Sequence, residues 1–325
     1  MIENVTVAEE EDGVRLDRWL KKKYPDTTFS NLQKVLRTGQ VRVDGKRAKG
    51  DARLVKGQLI RVPPQMAQAL PKKERGMTKK DTDFIQSLVL YKDEHIIAIN
   101  KPAGLATQGG SGIRRHIDGM LDGLIYDGVR PHLVHRLDKD TSGILLLARN
   151  PKIAKRMGEL FQGRDIRKYY WAITVPAPKQ HQGKIKSVIA KTDGPGGEKM
   201  RNVGEDRGKT AITHYQVMDT ALNKLAWVAF WPRTGRTHQI RVHALEIGCP
   251  LLGDYKYCHH QPLLEERPDL PNVLYLHSRR VILPHPVTGR KLDITAPLGT
   301  DMRKTWKFFN FNPEDKSDPF EDVDV

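Results

Sequence analysis

Residues 133–150 read LVHRLDKDTSGILLLARN and hold the first candidate for chemistry, Asp138. It lies in a loop with Asp140, Thr141, Ser142 and Gly143, ahead of an apolar run from Ile144 to Leu147. Short hydroxyl side chains hydrogen-bond the nearby backbone and fix such a loop. A loop fixed in this way can hold a carboxylate at a cleft, with Arg136 close by in sequence. For an isolated HRLD the competing reading is an Asx-type turn beside a chance cation. A kinase catalytic loop is a poor match: no V-A-I-K strand precedes HRLDKD, no D-F-G follows, and residues 109–112 read GGSG. A zinc site fails as well, since Cys249, Cys258, His259 and His260 are spaced C-x₈-C-H-H with no second clustered pair. A carboxylate that must stay charged in a pocket excluding water needs a cation beside it. The segment TGRTHQIRVH, residues 234–243, supplies Arg236 and Arg241.

The elements that would position these groups are legible. The run from Ile144 reads as a buried strand, followed by Asn150 as N-cap and Pro151 at the first helical position. Ile153, Met157, Leu160 and Phe161 form that helix's apolar stripe. KYYWAITV is a strand by its aromatic and β-branched content. It sets Tyr169, Trp171 and Ile173 on one face and Tyr170, Ala172 and Thr174 on the other. With Thr237 as N-cap, a further helix carries His238, Arg241 and Leu245 on one face and Ile240, Ala244 and Ile247 on its apolar stripe. Gly248 and Pro250 end it. Lys101-Pro102 follows the strand HIIAI and would set its end against the cleft. Residues 191–208 read as a mobile loop with basic content.

A chain of 325 residues suits one large domain and a small one. With 38% hydrophobic residues it can bury a core, and its net charge of +16 points to a polyanionic partner. Two cysteines exclude a disulfide scaffold and fit a reducing compartment. The acidic start MIENVTVAEEEDG is no secretory signal, and no apolar run approaches the roughly 20 residues that span a bilayer. A cytoplasmic protein without membrane contact is expected. Residues 13–62 contain 14 Lys/Arg against four Asp/Glu. Leu16, Trp19, Leu20 and Tyr24 recur at helical spacing, and Pro25 stops that helix. Ser30 with Gln33 forms a capping box stapled by Phe29, before a second helix lined by Leu32, Val35 and Leu36. Asp44-Gly45 signals a type I′ hairpin, and QLIRV is a further strand. Arg15, Arg18 and Lys22 on the first helix, Lys34 and Arg37 on the second, and Arg42, Lys46 and Arg47 on the hairpin form a face suited to phosphates. The divisions expected are an extension over 1–12, this module over 13–62, a linker over 63–82, a main domain over 83–312 and a disordered acidic tail over 313–325.

The strings HRLDKDTSGILLLA, NKPAG at 100–104, KYYWA at 168–172 and TGRTHQIRVH together resemble the RluA/RluC/RluD family of pseudouridine synthases. The resemblance spans roughly residues 85–300, and the module at 13–62 resembles the S4 RNA-binding domain often found ahead of it. It implies an α+β fold on a mixed, largely antiparallel sheet with flanking helices. It also implies uridine isomerisation in large-subunit (23S) rRNA. That reaction has no redox or phosphate-transfer step and the sequence has no motif for nicotinamide, ATP or metal, so no cofactor and no metal are expected; a monomer is expected. Asp138 is then the catalytic carboxylate, attacking ribose C1′ or taking the 2′ proton. Arg241 is its ion-pair partner. Tyr170 stacks on the flipped base and helps to remove the C5 proton. Arg136, Arg236, His238 and Lys101 join the basic face as RNA or substrate contacts, and the GGSG loop can approach an RNA backbone. The competing readings are a non-catalytic S4-type rRNA-binding or assembly factor, and a related synthase acting on tRNA.

Overall fold

The structure is a computed structural model that describes residues 3–25, 27, 29–67, 77–110, 113–163, 165–193, 199–222 and 224–323. Two units divide the chain, Met1–Gly76 and Met77–Val325.

In the first unit β1 (Glu3–Thr6), α1 (Leu16–Lys23), α2 (Phe29–Arg37), β2 (Arg42–Val43), β3 (Lys46–Arg47) and β4 (Leu59–Val62) are followed by the short helix α3 (Pro64–Ala67). The strands form one sheet in the order β1-β4-β2-β3. Asp44 (φ 49°) and Gly45 (φ 75°) are both left-handed, as a type I′ turn requires. Leu16, Trp19 and Leu20 of α1 pack with Leu32, Val35 and Leu36 of α2 and with Ile60 and Val62 of β4. Of the expected extension over 1–12, the described residues 3–12 belong to the first unit. Glu3–Thr6 pairs antiparallel with β4, and Val7 joins the core, because the open edge of β4 offers backbone partners to any adjacent strand. The expected linker is also shorter. Met66 is buried in the first unit, and α4 (Lys79–Ser87) begins at Thr78, whose side chain caps Asp81 N. Residues 68–76 lie outside the described residues, as do the side chains of the proposed Phe29–Ser30 cap.

The second unit continues with β5 (Val89–Lys92), β6 (Ile96–Lys101), β7 (His132–Leu133), β8 (Ser142–Ala148), α5 (Pro151–Gln162) and β9 (Arg167–Thr174). Next come β10 (Gln182–Thr192), β11 (Lys199–Asn202), β12 (Lys209–Ala221), β13 (Leu225–Pro232), α6 (Gln239–Glu246) and α7 (Pro262–Glu266). The chain closes with β14 (Leu276–Pro284), β15 (Lys291–Thr295) and α8 (Thr300–Phe308). One sheet runs β11-β10-β12-β13-β9-β14-β8-β6-β5, with β15 on β14 and β7 on β8. Only the β14–β8 pairing is parallel among the described strands, so the fold is α+β on a mixed, largely antiparallel sheet.

The alternation along β9 divides the core as its sequence dictates. Tyr169, Trp171 and Ile173 pack with Trp227, Trp231 and Trp306, while Ala172 on the other face meets Val228, Phe230 and the stripe Ile240 and Ala244 of α6. Asn150 caps α5 by accepting from Ile153 N at 2.9 Å. Within residues 191–208, Lys191 and Thr192 of β10 pair with Met200 and Lys199 of β11, and residues 194–198 lie outside the described residues. The acidic tail is docked rather than solvated. Phe320 is 1% exposed against Tyr169 and Trp231, Asp318 lies 3.7 Å from Arg280, and Glu314 pairs with Arg303. One aromatic anchor and complementary charge hold a segment whose composition alone reads as disordered. Among the described residues, no helix is long and apolar enough to cross a membrane.

Candidate active site

The loop before β8 is held from three sides. Thr141 N donates to Asp138 O at 3.2 Å, closing the turn. Thr107 Oγ1 donates to Leu137 O at 2.7 Å and accepts from Leu137 N at 3.2 Å. Lys101 Nζ donates to the carbonyls of Pro102 (2.9 Å), Leu105 (2.8 Å) and Lys139 (3.0 Å). Lys101 is therefore not an RNA contact. It is fully buried, and its three donors fasten the backbone beside Asp138. Burial draws its ammonium down to about 7, while Asp140 and Asp138 pull the other way. At the start of β8, Ser142 Oγ meets His277 Nδ1 at 2.9 Å. Gly143 follows with φ 103°, and a Cβ there would stand 2.3 Å from Ser278 O, so only glycine lets β8 run beside β14.

Asp138 lies on a wall shared by two cavities. One, of about 640 Å³, is also lined by Tyr170, Lys168, Arg236, His238 and Arg241. The other, of about 900 Å³, adds Asp140, Tyr255 and Lys256, and Arg136, His238 and Arg241 border both. Tyr170 reaches the first cavity from β9. Burial pushes its phenol up to about 12, and the charge of Asp138 adds to the shift. It stays protonated at neutral pH, which suits a stacking wall and a hydrogen-bond donor better than a base for the C5 proton.

The cations are arranged differently from expectation. Helix α6 begins at Gln239, and His238, not Thr237, is its N-cap in a left-handed conformation (φ 53°). Arg241 does not pair with Asp138. Its Nε and Nη2 donate to Asp254 Oδ2 and Oδ1 at 2.8 and 2.6 Å, with both residues buried. A carboxylate in the next loop offers both of its oxygens to the two donors of the fork. The charge of Asp138 still acts on Arg241, helping Asp254 to hold the guanidinium protonated against burial. The group beside Asp138 is His238, whose Nε2 stands 3.7 Å from Asp138 Oδ2 and whose Nδ1 is 2.7 Å from Tyr257 Oη. Burial moves this imidazole below its ordinary value, partly opposed by Asp138.

Arg136 and Arg236 are exposed at the cavity rim, and Arg236 Nε donates to Thr210 O at 3.2 Å. In the first unit Arg18, Lys22, Lys34, Arg37, Arg42, Lys46 and Arg47 are exposed. Arg15 departs from the expected helix face: it precedes α1 and forms an ion pair with Asp17 at 2.7 Å. Asp254, Tyr257 and Gln239 were not singled out from sequence. Gln239 bridges Thr234 (2.7 Å) and Thr213 (2.9 Å), tying α6 to the sheet. The string GDYKY at 253–257 carried the signal for Asp254 and Tyr257, but no local periodicity links it to Arg241 or His238.

Residues 95–246 match the family model described as RNA pseudouridylate synthase. Ribosomal large subunit pseudouridine synthase C of Rickettsia typhi is 36% identical over 87% of this chain and 93% of its own length. The enzyme of the same name from Pasteurella multocida is 33% identical over 93% and 92%. The solved structure of human RNA pseudouridylate synthase domain containing 4 superposes with a TM-score of 0.59 at 29% identity, covering 71% of this chain and 97% of that one. The family model, the relatives and the shared fold define an isomerase of the pseudouridine-synthase class. The chain belongs to the RNA pseudouridylate synthase family.

Proposed function

We propose that this chain isomerises specific uridines of large-subunit rRNA to pseudouridine, with Asp138 as the catalytic carboxylate. The observation that carries the reading is the placement of Asp138 on the wall of a cavity it shares with Tyr170 and Arg241. The N1–C1′ bond breaks, the base turns, and C5 bonds to C1′; the C5 proton leaves and N1 gains one. Attack on C1′ and removal of the 2′ proton both require the ionised carboxylate, and neither consumes an oxidant or a phosphate donor. The stacking surface of Tyr170 offsets part of the few kcal/mol that base extrusion costs. Arg136 and Arg236 at the rim, with the S4-like basic face of the first unit, take the phosphates. The enzyme works as a monomer in the cytoplasm, where rRNA is made.

The test is a map of pseudouridine across 23S rRNA and tRNA from a strain lacking the gene. A discrete set of 23S positions should revert to uridine and be restored by the wild-type chain. Loss confined to tRNA would overturn the rRNA assignment.

Charge placement sets a second expectation. The two units have separate cores, so deleting residues 1–76 should leave the second unit folded. Each phosphate left without its cation lowers the slope of log K against log [salt] by about one. The truncated enzyme should bind rRNA more weakly and with a slope shallower by several units, yet turn over at saturating RNA. An unchanged slope would show that the basic face is merely solvated.

A further inference from the structure

His238 stands beside Asp138 without an assigned task. A left-handed conformation at a residue with a Cβ is strained, and it persists only where the surroundings over-determine it. Those surroundings are specific. The imidazole meets the ring of Tyr257 edge-on, with centroids 5.6 Å apart, and its Nδ1 is 2.7 Å from Tyr257 Oη. Tyr257 Oη accepts a hydrogen bond from Met200 N at 3.1 Å, which directs its own proton to His238 Nδ1. Burial pushes the Tyr257 phenol up to about 12, so that proton is retained at neutral pH. An imidazole that accepts at Nδ1 carries its hydrogen on Nε2, and Nε2 is the nitrogen facing Asp138.

We infer that Tyr257 and His238 form a hydrogen-bond relay that orients the Asp138 carboxylate. Tyr257 fixes the Nε2–H form of His238, and the 3.7 Å separation closes to a hydrogen bond when a nucleoside fills the cavity. His238 is a positioning residue for Asp138, and Tyr257 is one for His238. The inference rests on the reading of Asp138 as the catalytic carboxylate. The Nε and Nη2 donors of Arg241 are taken by Asp254, whereas His238 Nε2 faces Asp138 at 3.7 Å.

The relay requires a neutral imidazole. Facing His238 are the carboxylates of Asp138 and Asp254, the cations Arg241 and Lys256, and the phenol of Tyr257. Burial and the two cations outweigh the carboxylates and hold it below its ordinary value. Protonation would place a hydrogen on Nδ1, against the proton of Tyr257, so the phenol opposes it too. Activity is therefore full above the pKa of His238 and falls as pH drops through it. Removing the phenol hydroxyl raises that pKa and moves the acid limb to higher pH.

The experiment follows steady-state turnover of a 23S rRNA transcript by the full chain between pH 5 and 9. For Tyr257→Phe, kcat near pH 7 should fall about tenfold, KM should stay within about twofold, and the acid limb should move up by about one pH unit. His238→Gln keeps an N–H donor at the reach of Nε2 and does not titrate. It should retain more activity than His238→Ala and lose the acid limb. A wild-type profile for Tyr257→Phe, or a uniform fall with no displacement of the limb, would overturn the relay. Asp138→Asn in the same assay separates the two readings. Turnover by that variant removes the catalytic assignment and the relay with it. An inactive Asp138→Asn beside an unaltered Tyr257→Phe removes the relay alone.

Discussion

Asp138→Asn is expected to lower pseudouridine formation by on the order of 10⁴-fold or more, to below detection in a single-turnover assay. The amide keeps the size of the side chain and removes its charge. The bonds that shape the loop run to the carbonyls of Leu137, Asp138 and Lys139, so the substitution leaves them intact. RNA affinity should change by less than about tenfold, or about 1.4 kcal/mol, because the cations proposed to take the phosphates are other residues. Appreciable turnover by the variant, with binding preserved, would dismiss Asp138 as the catalytic group.

Asp254→Ala should have the largest effect on stability. Arg241 and Asp254 have side chains only 6% and 1% exposed and share two short hydrogen bonds. Breaking such a pair from one side leaves a guanidinium buried without its counter-ion, at a cost of about 3–5 kcal/mol. The Tyr257 ring, 5.1 Å from the guanidinium, returns only a fraction of that. Replacing both partners by apolar residues, Arg241→Met with Asp254→Leu, removes the unpaired charge and should recover most of the stability. Activity should not recover, since the double variant removes the guanidinium from the cavity wall that Arg241 shares with Asp138. Chemical denaturation read by tryptophan fluorescence checks both expectations. A loss below about 1 kcal/mol for the single variant would mean that water or another carboxylate reaches Arg241.

The sequence alone determined whatever depends on neighbours a few residues apart. The faces of β9, the cap and stripe of α5, the left-handed turn at Asp44-Gly45 and the buried run of β8 all follow from spacing, because a strand or helix presents residues at a fixed period. The strings around Asp138, Tyr170 and Arg241 likewise identified the groups that line one cavity. Tertiary structure decided which group touches which. Arg241 pairs with Asp254 rather than Asp138, and Lys101 closes on the carbonyls of its own loop instead of facing RNA. Residues 3–6 complete a sheet edge, and Phe320 seats an acidic tail that composition marks as solvated. In each case the partner lies on an element brought near by chain reversal. A charged or edge group takes the partner with the best geometry in space, and linear spacing carries no record of that distance.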